Sequence, residues 1–319
     1  MATRKVTALV RAANRDSVEF RQVPAPEPAA GQVVVRVRAV SVNRGELHRI
    51  DDPANGGWRP GWDLAGEVVA GHRDTTEFTV GTRVFGMCQG GSWTQELAVA
   101  ESSLAAIPDT VSWQQAAALP AAGLTALRTL RMAGPLAGRA VLVVGASGGV
   151  GRFAVQLARR AGAEVTAVAG GPERAAGLAA LGAARVVTDL AELRPGFDLV
   201  LESAGGESLT AALSLVGHRG LVVSYGNSSR RDTVLSINDF YPKQARLHGF
   251  YLLDGIVEEP PAADLAELAG LCAAGELSVE VGAEADWADV TTVLNLLRTR
   301  RVAGKAVLLV GSAPRGPDG

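Results

Sequence analysis

Residues 141–151, VLVVGASGGVG, constrain the fold of this chain more than any other stretch. Four β-favouring apolar residues read as a short buried strand. Gly145, Gly148, Gly149 and Gly151 make a glycine-rich turn, and FAVQLARRAGA runs on as an amphipathic helix. Strand, turn and helix in that order are the setting a dinucleotide fingerprint requires. The turn lets backbone approach a pyrophosphate, and the helix N-terminus supplies free N–H groups and a partial positive charge. The spacing is G-x-x-G-x-x-G rather than the strict G-x-G-x-x-G, so a purely structural turn is the competing reading of the glycines alone. Ser147, Gly148, Gly149 and Val150 are the expected phosphate contacts.

The residues beyond the turn favour binding. From residue 140 the pattern alternates strand and helix, with strands expected at 141–144, 164–168, 185–187, 198–201, 221–224 and 246–250. Six strands with crossovers imply a doubly wound parallel sheet in the order 3-2-1-4-5-6. The earlier residues have a different texture. Residues 3–23 alternate as a hairpin would, turning at Asn14-Arg15-Asp16, and QVVVRVRAVSV (32–42) alternates apolar with polar as a half-buried strand. Segments 64–69, 82–85 and 93–100 continue the β pattern. The first hundred or so residues therefore read as an all-β unit, a partly open barrel. From Ser112, SWQQAAALPAAGLTALRTLRMAG is helical, with Pro120 kinking or dividing it. Beyond Asp254, helices are expected at 262–274 and 286–300, then a strand at 305–310. That strand has no crossover partner left, so it is expected to return to the β unit. The fold class is α/β, with a discontinuous first domain (1–115 and 254–319) and a second at 116–253. The tail SAPRGPDG is expected to fray.

Composition narrows the partners. A chain of 319 residues is long enough for two cores, and 47 % hydrophobic with 20 % charged residues is an ordinary globular profile. The formal charge of −2 gives no footing for nucleic acid or an anionic membrane. No run reaches the roughly 18 apolar residues that span a bilayer, and MATRKVTALV carries no secretory cleavage pattern. Cys88 and Cys272 fit no ligand spacing, which points to a reduced, cytoplasmic setting with inert thiols.

The second strand of the nucleotide domain bears on the choice of coenzyme. An NAD site places Asp or Glu at its end to hold the ribose 2′-OH. Here the strand runs into Ala169-Gly170-Gly171-Pro172 with no acid, and Arg174 follows Glu173. A small turn at Gly170 followed by a guanidinium suits a 2′-phosphate, so NADPH is the expected cofactor. The alternative for Arg174 is a solvated first-turn helix residue. Ser203 and Tyr225-Gly226-Asn227 fall at the carboxyl ends of strands four and five, where open α/β sheets bind ligands.

Taken together, SVNRGELHR (41–49), GWDLAGEVV (61–69), VGTRVFG (80–86), LPAAGLTALRTL (119–130), GASGGVGRFAVQLAR (145–159), LVLESAGGESL (199–209), VVSYGNSS (222–229) and GKAVLLV (304–310) resemble the medium-chain dehydrogenase/reductase family, in its zinc-free quinone-oxidoreductase-like branch. The resemblance covers nearly the whole chain. It implies a GroES-like β-barrel domain beside a Rossmann domain and hydride transfer from NADPH to a quinone or an α,β-unsaturated carbonyl compound. An enoyl-thioester reductase of a polyketide or other secondary pathway is the alternative, and a non-catalytic NADPH-binding protein the second. Zinc-dependent relatives carry Cys at the position of Asn43, a His-Glu pair at Trp62-Asp63 and another Cys near Ala122. None of those soft or imidazole ligands is present, so no metal is expected. By the same resemblance Asn43 is a substrate-side amide, although a turn cap reads the same in sequence. Thr125 matches a Thr near the nicotinamide ribose, although a helix-interior Thr bonding back to its own backbone reads the same; Phe250 is a cofactor contact, and Lys305 reaches the cofactor phosphates unless it is merely solvated. Many relatives have a tyrosine in the region matching 43–52; here His48 stands there, leaving His48, Tyr251 and water as proton donors, with a surface or structurally hydrogen-bonded His beside Glu46 and Arg49 as the alternative for His48. Trp58 and Trp62 wall a flat acceptor pocket or simply pack under a loop. A homodimer through the exposed sixth strand is expected.

Overall fold

A computed structural model describes residues 4–13 and 17–311. The turn expected at Asn14-Arg15-Asp16 and the 312–319 tail lie outside the described residues. Contacts divide the chain into two compact units, Met1–Ala121 with Ile256–Gly319, and Ala122–Gly255.

The first unit opens with an antiparallel hairpin, β1 (Lys5–Arg11) and β2 (Val18–Pro24). There follow β3 (Gln32–Val42), α1 (Arg44–Asp51), β4 (Asp63–Gly71), β5 (Arg83–Met87), β6 (Glu96–Ala100), β7 (Leu104–Ala106) and α2 (Trp113–Ala118). Helix α3 (Pro120–Arg131) leads into the second unit, with Leu119 between it and α2. The second unit comprises β8 (Ala140–Val144), α4 (Gly149–Arg160), β9 (Glu164–Val168), α5 (Pro172–Ala175), β10 (Arg185–Val187), β11 (Phe197–Glu202), α6 (Gly206–Leu215), β12 (Val216–Ser224) and β13 (Arg246–Gly249). Helix α7 (Leu252–Glu258) leads back to the first unit and to α8 (Ala262–Ala273), β14 (Val281–Asp286), α9 (Val290–Arg298) and β15 (Lys305–Leu309).

One strand organises the first unit. Along one edge β3 pairs with β4; along the other it pairs first with β6 and then with β15. The change of partner accompanies irregularities between Val34 and Val35 and between Val37 and Ala39, where bulging bends the strand. A seven-stranded sheet results, ordered β14-β15-β3-β4-β5-β7 with β6 on β3. Its inward residues, among them Val33, Val35, Val37, Leu64 and Leu308, form one core with Trp93 from the loop before β6 and with Trp287, Val293 and Leu294 from the 287–298 segment. The terminal strand thus does return to the β unit, as the sequence implied. Other elements differ from expectation. α1 interrupts the supposed all-β stretch, the strand expected at 93–100 begins only at Glu96, and the helix expected from 286 is preceded by strand β14. VGAEAD is poor in β-formers, and its pairing with β15 makes it a strand.

The second unit is a six-stranded, all-parallel sheet in the order β10-β9-β8-β11-β12-β13. In chain order this is 3-2-1-4-5-6, the doubly wound arrangement. Val141, Leu142, Val143, Val200 and Val222 are buried, as strands covered on both faces must be. β12 starts at Val216, earlier than the apolar run suggested. Among the described residues no helix is long and apolar enough to cross a membrane.

Candidate functional site

In the first unit the register of three strands gathers polar side chains at one end of the sheet. Val42 faces Ala306 and Ala39 faces Ala65, so Asn43 and Lys305, and Ser41 and Asp63, fall opposite each other. Lys305 Nζ donates to Asn43 Oδ1 at 2.5 Å and lies 3.4 Å from Asp63 Oδ2. Asn43 Nδ2 donates to that same oxygen at 2.8 Å, and Ser41 Oγ donates to it as well. Asp63 Oδ1 accepts the Ala121 N–H at 2.8 Å. Asp63 is 0 % and Lys305 4 % exposed, so neither charge is hydrated and each depends on the other. The Asn43 amide is thereby fixed in orientation, with its oxygen on the ammonium and one N–H on the carboxylate. Lys305 is not the solvated strand-start residue of the alternative reading; its ammonium is committed within this cluster.

Glu46 supports the cluster from α1. Its carboxylate accepts the Asn43 N–H at 2.6 Å and the Trp62 N–H at 2.7 Å, closing the helix start onto the loop before β4. Burial, with the nearby Asp63 charge, pushes its carboxyl up to about 8 against the pull of those N–H groups and Lys305. The Trp62 ring packs on Gly45, where a Cβ would collide with it. Arg49 lies over both indoles, its Cζ 5.5 Å from the Trp58 ring and 5.8 Å from that of Trp62. His48 is half-buried in the last turn of α1. A cation thus bridges the two tryptophans.

In the second unit the glycine turn lies between β8 and α4. Gly145 takes a positive φ of 73°, and a Cβ on Gly151 would come within 2.5 Å of Ala146 Cα, so both positions demand glycine. Gly148 is the N-cap of α4 and no side chain caps it. A Cβ there would touch only Gly145 O, at 3.4 Å, and one on Gly170 would meet nothing within 4 Å. The amides of the first turn therefore face an open approach, which fits a pyrophosphate. Arg174 Nε donates to Ser147 Oγ at 3.1 Å, so the guanidinium stands at the turn rather than projecting into solvent. Arg152, which sequence reasoning passed over, is buried. It bonds Ser147 O and Ala176 O, tying the glycine turn to the residue that caps the end of α5. The only hint was a guanidinium on the apolar flank of FAVQLARR.

Ser203, Tyr225 and Asn227 gather beside that turn. Ser203 Oγ would lie 3.4 Å from a Cβ on Gly145. Burial raises the Tyr225 phenol to about 12, so it stays protonated. Gly226 lies over Ser203 O, and Asn227 packs on Gly205. A second overlooked residue, Glu202, is fully buried and accepts from Ala204 N, Gly205 N and Ser208 Oγ, shaping the loop that carries Ser203. Thr125 is buried on α3. Phe250 donates its N–H to Ser224 O at 2.8 Å, and Tyr251 is 55 % exposed at the foot of α7.

Two family models match the chain: an alcohol dehydrogenase GroES-like domain over residues 29–128, and a zinc-binding dehydrogenase over residues 149–269. A quinone oxidoreductase of Pseudomonas aeruginosa is 30 % identical over 92 % of this chain and 95 % of its own length. The chain belongs to the medium-chain dehydrogenase/reductase family, quinone-oxidoreductase-like. Its two units are accordingly a GroES-like domain and a Rossmann domain. Erythronolide synthase EryA2 of Saccharopolyspora erythraea is 36 % identical over 95 % of this chain, which spans only 9 % of that synthase. A solved alcohol dehydrogenase superfamily protein of Novosphingobium aromaticivorans superposes with a TM-score of 0.85 at 28 % identity, covering 97 % of this chain and 100 % of that one.

The zinc in one family description does not fit these residues. Among the described residues no group of three or more His, Cys, Asp and Glu side chains could hold a metal ion. At the strand ends the buried carboxylate of Asp63 is already matched by the Lys305 ammonium. Neither Cys88 nor Cys272 belongs to such a group. A nicotinamide dinucleotide does fit, at the open helix start and the acid-free turn beside Arg174.

Proposed function

We propose that this oxidoreductase is an NADPH-dependent, metal-independent reductase of quinones or α,β-unsaturated carbonyl compounds. The observation that carries the reading is the Arg174 guanidinium held against Ser147, beside a Gly170-Gly171 turn that presents no carboxylate to repel a 2′-phosphate. Ser147, Gly148, Gly149 and Val150 hold the pyrophosphate at the start of α4. Thr125, Ser203, Tyr225, Gly226, Asn227 and Phe250 position the rest of the coenzyme. When bound, the reduced nicotinamide supplies the hydride. Asn43 donates its remaining amide N–H to the acceptor oxygen as negative charge develops there, and Lys305 and Asp63 hold that amide in place. Lys305 thus acts through Asn43 rather than on the phosphates. Trp58 and Trp62 flank the acceptor, and His48, Tyr251 or water returns the proton.

Loss of NADPH absorbance with 1,2-naphthoquinone and with enoyl thioesters tests the reading. Turnover of the quinone supports it, and binding of NADPH without turnover of any acceptor overturns it. An enoyl-thioester reductase is the second reading, favoured by the long match to the erythronolide synthase; turnover of the thioesters alone selects it. His48→Ala lowers turnover without weakening NADPH if His48 is the donor, and an unchanged rate passes the role to Tyr251 or water. The exposed β13 edge, with Tyr241 and Leu247 exposed near it, supports a homodimer. Light scattering of the eluting protein at monomer mass would overturn that.

A further inference from the structure

Helix α4 carries three arginines, and one of them stands at the wrong end. Arg159 and Arg160 occupy its last turn, where the helix dipole favours a cation. Arg152 follows directly on the first turn, where the dipole disfavours a cation and no acid offsets it. It is also buried, at 7 % exposure. What its side chain reaches explains the position. Side chains on a helix lean toward the N-terminus, which carries this guanidinium back beside the glycine turn. Its Nε donates to Ser147 O at 3.3 Å, and one terminal nitrogen donates to Ala176 O at 3.1 Å. The other terminal nitrogen would lie 3.5 Å from a Cβ on Gly177.

The element so held is the one on which Arg174 stands. Helix α5 is four residues long, a single turn in which Ala175 N donates to Gly171 O at 3.1 Å, and no side chain caps its start. A lone turn fixes several dihedral angles for one hydrogen bond and is unstable by itself. Gly170 and Gly171 precede it and Gly177 follows Ala176, with φ of 146° at Gly171 and 82° at Gly177. The backbone is therefore loose on both sides of the turn. Beyond Gly177 the chain is anchored by Leu178, buried at 0 % exposure. Between the glycines, Arg152 holds Ala176 O, while Arg174 Nε reaches Ser147 Oγ at 3.1 Å. Both guanidiniums converge on Ser147, one at its carbonyl and one at its hydroxyl.

We propose that Arg152 is a positioning residue for the choice of coenzyme: it braces the α5 turn against the glycine turn, so that Arg174 stands ready for a 2′-phosphate before any nucleotide arrives. Arg152 acts through Arg174 rather than on the phosphate, since its guanidinium is buried and bonded to two backbone carbonyls. This rests on the NADPH reading and adds a residue to it. Without the brace, binding has to order the turn as well as the Arg174 side chain. That penalty falls on the 2′-phosphorylated nucleotide alone, because NADH has no group for Arg174 to grip.

Calorimetric titration with 2′,5′-ADP and with 5′-AMP, which differ by the 2′-phosphate, reads the preference without turnover. Wild type is expected to favour 2′,5′-ADP. Arg152→Met should lower that preference by about 3- to 10-fold, the scale of ordering one or two side chains, and leave 5′-AMP binding as it was. In steady state the same loss raises the KM for NADPH and not that for NADH. In the Arg174→Ser background Arg152→Met should lower the preference no further. Arg152→Lys keeps the charge but offers one nitrogen where the guanidinium spans two carbonyls, so it should fall nearly as far as the methionine variant. Hydrogen exchange of wild type decides the matter even where Arg152→Met does not fold. The Ala175 and Leu178 amides, bonded to Gly171 O and Ala175 O, should be protected in the free protein and gain little on adding 2′,5′-ADP. Equal weakening of both nucleotides in Arg152→Met would show a purely structural arginine and overturn the proposal. So would an unchanged preference, full preference in Arg152→Lys, a further fall in the Arg174→Ser background, or α5 amides protected only with nucleotide. Wild type that binds the two nucleotides equally would instead remove the NADPH reading itself, and the proposal with it.

Discussion

Replacing Lys305 by Met isolates the electrostatic link on which the first-unit site is built. Methionine keeps the length of the side chain and its packing but removes the ammonium. Asp63 would be left at 0 % exposure without its counter-ion. Breaking one half of a buried pair costs about 3–5 kcal/mol, because the remaining charge has neither water nor partner. Three donors still reach this carboxylate, from Ser41, Asn43 and the Ala121 amide, which places the expected loss at the lower end, about 3 kcal/mol. For a folded unit of this size that lowers the melting temperature by about 6–12 °C. Urea denaturation of Lys305→Met, Asp63→Asn and the double variant measures it as a cycle. The double variant, with both charges gone, should recover to within about 1 kcal/mol of wild type. Turnover of Lys305→Met should fall further than stability alone accounts for, since the Asn43 oxygen loses its ammonium partner and only the bond to Asp63 still orients the amide. A loss below about 1 kcal/mol, or a double variant no better than the single, would refute the reasoning.

Arg174→Ser should raise the KM for NADPH by about 10- to 100-fold and leave that for NADH nearly unchanged, as expected from losing hydrogen bonds to a phosphate; steady-state kinetics with both coenzymes decide it. Glu46 is raised to about 8 in the folded chain, so the native state binds a proton that the unfolded state releases near the ordinary carboxyl range. Stability should therefore decline as pH rises from about 5 to 8 and level off above it, and Glu46→Gln should flatten that slope in urea titrations. Gly151→Val should destabilise the Rossmann unit by about 1–3 kcal/mol or more, because even its Cβ would lie 2.6 Å from Gly145 O; calorimetry reads this directly.

Local features were legible in the sequence, and features made by register were not. The glycine turn and the order of six parallel strands follow from spacing and alternation within short windows, and both appear in the structure. Helix α1 also had a local signal, Asn43 followed by Glu46 three residues on, but its eight residues were too short to break the β texture around them. The Asn43–Lys305 contact joins residues 262 positions apart, brought together only because β3 bulges and passes from β6 to β15. Its one trace in the sequence is a lysine that opens the fully apolar run AVLLV, a poor place for a solvated side chain. Glu202 and Arg152 likewise look like surface charges until their backbone partners are known.

The central claim concerns reduction by NADPH without a metal ion, and one rate measures it. The protein is dialysed exhaustively against a strong chelator, and the initial rate of NADPH oxidation with 1,2-naphthoquinone is followed beside the same reaction with NADH. Sustained turnover that favours NADPH and is indifferent to added zinc is the predicted result. Activity that vanishes on chelation and returns only with zinc, or that prefers NADH, would contradict it.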